Sequence, residues 1–241
     1  MYSDAEAAAL YDVMNPWKPE SYRSDAFYTR LVMAADSVAD FGCGTGSMLH
    51  HAREHGHTGR LAGLDPDSAM LGRAQARTDV EWVLGRADMS PWQHEFQLAT
   101  MASNAFQCLT SEDDVINSLR AIRRSLADGG RFAFETRNPA AQAWLDWNPS
   151  NARDVVDANG RTVRVWHEVE EVDGDLVTFT ETTDDGVGLR VDRATLRFLD
   201  PERLNAALVK TGFAVENQYG DFTGGALTAE SKSIVTLARR V

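Results

Sequence analysis

The stretch Asp40-Phe41-Gly42-Cys43-Gly44-Thr45-Gly46 joins the end of an apolar run to the start of a helical pattern. A glycine turn in that setting lets a ligand approach the backbone, and the helix behind it offers N–H groups that lack intrahelical partners. The spacing is Gly-x-Gly-x-Gly. The dinucleotide fingerprint Gly-x-Gly-x-x-Gly needs glycine at position 47, which here is Ser47. Asp40 stands at the tip of the first strand, where a carboxylate repels a pyrophosphate and suits an ammonium or sulfonium group. Asp65 ends the next apolar run and is placed to accept both hydroxyl protons of a ribose. Asp88, in Gly85-Arg86-Ala87-Asp88-Met89, follows a third run; it can accept from an exocyclic amine, with the Met89 backbone N–H beside it.

Such residues need a rigid frame. Ser3-Asp4-Ala5-Glu6 reads as a capping box ahead of an Ala-rich helix that Pro16 ends, and a second helical pattern covers 24–35. From position 37, strands over 37–41, 60–65, 80–85, 96–103 and 131–136 alternate with helices over 46–55, 67–77 and from Ser111 to Gly129-Gly130. That alternation predicts a parallel twisted sheet covered on both faces. After Asn138-Pro139 the period becomes two. Segments 161–172, 176–182 and 193–199, with a turn at Asp173-Gly174-Asp175, predict an antiparallel insertion of about three strands. A helix from Asp200-Pro201 to Gly212 and strands over 213–219 and 232–239 complete the chain. The expected organisation is a helical cap over 1–36, a ligand-binding core over 37–139, an inserted β lid over 140–199 and a completion of the core sheet over 200–241. With three strands side by side, Asp40, Asp65 and Asp88 face an amino acid, a ribose and an adenine in a row. Together these are the parts of S-adenosylmethionine.

Composition narrows the classes. The chain has 241 residues, 43% hydrophobic and 25% charged, and a formal charge of −12. A core of that size needs no staples, and the charge argues against a nucleic-acid partner. Two cysteines, Cys43 and Cys108, make neither a disulfide framework nor a cysteine-rich zinc site. No cationic leader and no long apolar run are visible, so a cytoplasmic chain without a membrane partner is expected, as monomer or homodimer. His50, His51, His55 and His57 cluster on or after one short helix; no other ligand set joins them, so no metal is expected.

The chain resembles the class I S-adenosylmethionine-dependent methyltransferases. The resemblance rests on 40–46, on Gly63-Leu64-Asp65-Pro66-Asp67-Ser68-Ala69-Met70-Leu71, on 85–89 and on Leu126-Ala127-Asp128-Gly129-Gly130, in order and at family spacing. It implies a Rossmann-like α/β sheet of seven strands in the order 3-2-1-4-5-7-6, with strand 7 antiparallel. It also implies S-adenosyl-L-methionine as cofactor, leaving S-adenosyl-L-homocysteine and needing no metal. The implied cofactor residues are Tyr22, Asp40, Gly42, Gly44, Gly46, Asp65, Pro66, Met70, Asp88, Met89 and Ser103. With its inserted lid, the chain is similar to the small-molecule methyltransferases that dimethylate deoxyaminosugars, on Leu10-Tyr11-Asp12, Tyr22 and 160–167. The loop after the fourth strand, Ser103-Asn104-Ala105-Phe106-Gln107, departs from that group.

The family implies a small-molecule acceptor near Tyr11, Trp17, Asn104, Phe106 and Arg137. Packing by amphipathic helices accounts equally for Tyr11, Tyr22 and Trp17, and simple core packing for Met70. In the insertion, Val163, Val165, His167 and Val169 share a face. A three-residue turn sets position 172 against 176, His167 against Glu181 and Val169 against Phe179. The His–Glu pair could act as a proton acceptor with its orienting partner, or simply as a satisfied structural pair. The expected activity is methyl transfer to an N or O nucleophile. A nicotinamide-dependent oxidoreductase or a peptide methyltransferase are the alternatives.

Overall fold

The computed structural model describes residues 2–241. A seven-stranded sheet forms the centre. It contains β1 (Ser37–Phe41), β2 (Arg60–Asp65), β3 (Glu81–Leu84), β4 (Phe96–Met101), β5 (Leu126–Arg137), β10 (Phe213–Tyr219) and β11 (Ser233–Arg240) in the order β3-β2-β1-β4-β5-β11-β10. The first five run parallel, and β11 is antiparallel to both β5 and β10. This is the order that the family resemblance implies, and it makes the chain an α/β protein of Rossmann-like topology.

Side chains alternate along each central strand between two apolar layers. Ala39, Phe41, Ala62, Leu64, Ala99, Phe132, Phe134 and Ile234 enter one core. Val38, Leu61, Leu98, Ala133 and Val235 enter the other. Both faces must therefore be covered, which is why the strands read as continuous apolar runs. On the first face, α5 (Glu112–Ser125) lays down Val115, Ile116, Leu119 and Ile122, and α6 (Pro201–Lys210) adds Leu204 and Leu208. On the second, α2 (Arg23–Met33) brings Phe27, Tyr28 and Val32, and α3 (Ser47–Glu54) brings Met48 and Leu49. The helix α4 (Ser68–Ala74) starts on an Asp67 cap that accepts from two backbone N–H groups.

The second sheet is antiparallel and has four strands: β6 (Arg153–Val156), β7 (Thr162–Asp173), β8 (Leu176–Asp184) and β9 (Leu189–Arg197). Sequence reading gave about three. It missed β6, a four-residue edge strand in a polar stretch, and began β9 four residues late. It also carried the long helix to Gly129-Gly130, whereas α5 ends at Ser125 and residues 127–130 form an irregularity in the β4–β5 pairing.

The helix α1 (Asp4–Met14) connects the two sheets. Its capping box, with Ser3 and Glu6 bonding reciprocally, is present. Leu10 packs with Val163 and Val165 of β7. Polar bonds to the second sheet run from the Tyr2 hydroxyl to Asp157 at 3.0 Å and from Arg161 to Glu6 at 2.8 Å. At its other end Asp12 accepts from Arg73 of α4 at 2.7 Å and from Thr45 in the glycine turn.

Candidate active site

The strand order reverses between β1 and β4, so the crevice beyond their carboxyl ends is the place where open α/β sheets bind ligands. A cavity of about 870 Å³ lies there, inside the range of roughly 300–1,000 Å³ typical of small-molecule pockets. Its walls come from the core (Ser47, Met70, Asn104, Glu135), from α1 and α2 (Tyr11, Tyr28) and from the second sheet (His167, Glu181).

The glycine turn leads into one side of the cavity through Ser47, the first residue of α3. Gly44 has a φ of +55° and open space where a Cβ would stand, a left-handed position that leaves room for a ligand against the backbone. Gly46 has φ +76°, and a Cβ there would meet the Trp82 ring at 2.5 Å, so that glycine serves packing. Gly42 lies in the same turn. Asp65, 7% exposed, accepts the Gly44 N–H at 2.7 Å through one oxygen and the Asp67 N–H at 2.8 Å through the other. Each oxygen keeps a second lone pair, enough for two hydroxyl donors. Burial raises its pKa, against those two bonds. Asp40, 4% exposed at the end of β1, accepts from the Thr100 hydroxyl at 2.7 Å. Burial drives its pKa from 3.8 to about 7, and Asp65 and Glu135 push the same way.

The other side is built on the turn after β4. Ser103 and Asn104 have φ of +57° and +60°, two successive non-glycine residues in the left-handed region. Each such residue costs roughly 1–2 kcal/mol, less for asparagine. The Asn104 N–H donates to the Glu135 carboxylate at 2.8 Å, and the Tyr28 hydroxyl donates to its second oxygen. Glu135 is 3% exposed; burial lifts its pKa from 4.5 to about 6, and the two donors pull it down. Arg137, whose own pKa burial lowers, donates to Gln107 at 3.0 Å and lies 5.4 Å over the Trp147 ring.

On the second sheet, β7 and β8 pair His167 with Glu181 and Val169 with Phe179. The hairpin turn, however, is Gly174-Asp175, with Asp173 opposite Leu176 and Val172 opposite Val177. The expected pairing of 172 with 176 is corrected by a bulge at Glu170, which restores the register further along. His167 Nε2 stands 2.9 Å from Glu181. A carboxylate oxygen only accepts, so Nε2 carries a proton, and in the neutral imidazole Nδ1 then has the free lone pair.

Of the sequence candidates, Tyr11, Trp17, Tyr22, Met70, Ser103, Asn104, Arg137 and His167 all line this cavity. Burial raises the Tyr11 phenol, and the Trp17 indole donates to Thr29 at 3.0 Å. Nine others are absent from its lining: Asp40, Gly42, Gly44, Gly46 and Asp65, at the strand ends and glycine turn described above, and Asp88, Met89, Pro66 and Phe106. Asp88 is held by Arg86 at 3.2 Å, and Arg86 also binds Asp114. Met89 is 72% exposed, and Pro66 faces solvent. Phe106 does not reach the cavity: it is buried in the first core, stacked on Phe134 at 4.6 Å, because the turn after β4 directs it inward. Sequence reading missed Glu135, although a lone acid closing the run Phe132-Ala133-Phe134 is the same signal that marked Asp40 and Asp65. Tyr28 gave no such signal, being one more aromatic on an apolar helix face.

A methyltransferase-domain family profile matches residues 38–130. Those residues form a class I methyltransferase domain. The chain carries this domain within its larger sheet. It is similar, at 27% identity over 93% of this chain and 97% of the relative, to dTDP-3-amino-3,4,6-trideoxy-alpha-D-glucopyranose N,N-dimethyltransferase from Streptomyces venezuelae. Among solved structures, an S-adenosylmethionine-dependent methyltransferase from Clostridium acetobutylicum superposes with a TM-score of 0.79 at 16% identity, covering 97% of each chain. The CcbJ methyltransferase from Streptomyces caelestis gives 0.74 at 23% identity over 92% of this chain and 96% of that one. These two show the shared fold.

Proposed function

We propose that this cavity moves a methyl group from S-adenosylmethionine to an amine or hydroxyl of a small molecule. The observation that carries the reading is one cavity with the starts of α3 and α4 (Ser47, Asp67, Met70) and the polar groups of the β4 turn, β5 and the second sheet on shared walls. A pocket walled by two helices and a second sheet suits a small acceptor more than a peptide in a long groove.

Asp65 and the Gly44 turn fit the ribose and the amino-acid end of the cofactor, and Asp40 supplies negative charge beside them. When bound, that group supplies a methyl carbon activated by a positive sulfur. The protein's remaining tasks are alignment of the acceptor, exclusion of water and acceptance of charge. Tyr11, Asn104 and Arg137 border the space for the acceptor. An amine attacks as its free base and needs only orientation. A hydroxyl needs a proton acceptor, for which His167 Nδ1, oriented through Nε2 by Glu181, is the candidate. The aminosugar named for the Streptomyces venezuelae relative favours an amine.

The test is mass spectrometry of purified protein with S-adenosylmethionine and dTDP-3-amino-3,4,6-trideoxy-α-D-glucopyranose, its hydroxyl analogue and a peptide with a free N-terminus. Methylation of the amino sugar or of its hydroxyl analogue is expected. Methylation of the peptide alone, or tight binding of a nicotinamide dinucleotide with no binding of S-adenosylhomocysteine, would refute the reading.

A further inference from the structure

We infer that Glu135 is the positioning residue of the acceptor end: its carboxylate, presented by Tyr28, holds the Ser103–Asn104 corner in the left-handed form that sets the Asn104 side chain against the acceptor. This rests on the methyl-transfer reading above. Three observations carry it. First, a carboxylate 3% exposed has no cation within pairing distance among the described residues, an expensive arrangement to retain without a task. Second, its two oxygens are taken by donors from separate elements, the Tyr28 hydroxyl of α2 and the Asn104 N–H of the β4 turn. The bond to Asn104 is charge-assisted and lands on one of the two strained residues. Third, Asn104 Oδ1 is buried without a hydrogen-bond partner among the described residues, while Asn104 lines the cavity. A buried acceptor left open in this way awaits a donor from the ligand. An N–H or O–H of the acceptor molecule bonded to it would turn the nucleophile's lone pair away from the corner and into the cavity.

Glu135 transfers no proton in this scheme. It acts through Asn104, and its charge is what keeps the bond strong. The titratable and charged groups facing it are Tyr28 on α2, Asp40 at the end of β1 and Arg137 on β5. Arg137 and the two donors favour the charged form, while burial opposes it. Protonation weakens the hold on the corner, so transfer falls on the acid side.

Three variants test this: Glu135→Gln, which keeps shape and removes charge; Tyr28→Phe, which removes one donor; and Glu135→Gln with Ser103→Gly, which relaxes half of the left-handed strain. With dTDP-3-amino-3,4,6-trideoxy-α-D-glucopyranose as acceptor, Glu135→Gln is expected to lower kcat at least tenfold while calorimetric affinity for S-adenosylhomocysteine stays within twofold. Adding Ser103→Gly should recover part of the loss. In the wild type the Asn104 amide proton shift in NMR should titrate near pH 6, and Tyr28→Phe should raise that midpoint. Wild-type kcat in Glu135→Gln, a parallel loss of S-adenosylhomocysteine binding, or an Asn104 shift that is flat with pH would each overturn the inference. If the wild type leaves this sugar unmethylated, the acceptor assigned above is refuted, while the Asn104 titration still decides the role of Glu135.

Discussion

Replacing Asp40 with asparagine should make the ligand-free protein more stable and a poorer binder of its cofactor. Asp40 is buried at the end of β1, and its side-chain partner, the Thr100 hydroxyl, can donate equally well to an amide oxygen. The carboxyl's pKa rises from 3.8 to about 7, chiefly through burial. At about 1.4 kcal/mol for each factor of ten, the ionised form costs the fold on the order of 4 kcal/mol at alkaline pH. The sign follows from the proton count. Because the folded pKa lies above the unfolded one, the native state holds the extra proton between about pH 4 and pH 7, and stability falls as pH rises through that window. Asp40→Asn carries no such slope. It should exceed the wild type by about 2–4 kcal/mol in urea unfolding at pH 8 and by less than about 1 kcal/mol at pH 4. Calorimetry should show weaker S-adenosylmethionine binding in the variant, and wild-type affinity that strengthens as pH rises through 7. A variant less stable than wild type at pH 8, or a difference that persists on acidification, would refute the reasoning.

Asp65→Ala should weaken S-adenosylhomocysteine binding by about 1–3 kcal/mol through lost charged hydrogen bonds, measured by calorimetry; unchanged affinity would remove Asp65 from the site. His167→Ala should leave that affinity intact and lower turnover, most at a hydroxyl acceptor; undiminished turnover on every acceptor would dismiss His167 as a base. Asp12→Ala releases α1 from Arg73 and Thr45 and should speed S-adenosylhomocysteine dissociation in stopped-flow fluorescence. A rate equal to the wild type would show that α1 does not restrain the ligand.

What the sequence made legible is what lies at strand ends in a fixed order. The glycine turn, Asp40 and Asp65 each follow an apolar run directly, so chain position alone sets them on one edge of the sheet. The His167–Glu181 pairing was legible because period-two alternation fixes which residues share a face, and a bulge at Glu170 compensates for the misjudged turn. Asp88 and Phe106 were legible as residues but not as directions. Arg86 draws Asp88 aside, and the Phe106 ring finds Phe134 in the core. The partnership of Tyr28 with Glu135 joins residues far apart in sequence and depends on how α2 settles on the sheet, which no local pattern encodes. The short strand β6 escaped notice because four residues at a polar edge carry almost no periodic signal.

The buried acids explain together why this crevice suits a cation. Asp40 and Asp65 stand at the ends of β1 and β2, both nearly inaccessible, and neither meets a lysine or arginine within pairing distance among the described residues. Hydroxyl and backbone donors bond to them without neutralising their charge. Asp65 makes Asp40 harder to ionise, so the ligand-free cofactor end stores repulsion in a low-dielectric interior. A ligand bearing ammonium and sulfonium charge relieves that repulsion, whereas a pyrophosphate would add to it. The same arrangement that weakens the empty fold above neutral pH therefore sets which cofactor can enter, and a single neutral substitution at Asp40 should move stability and affinity in opposite directions.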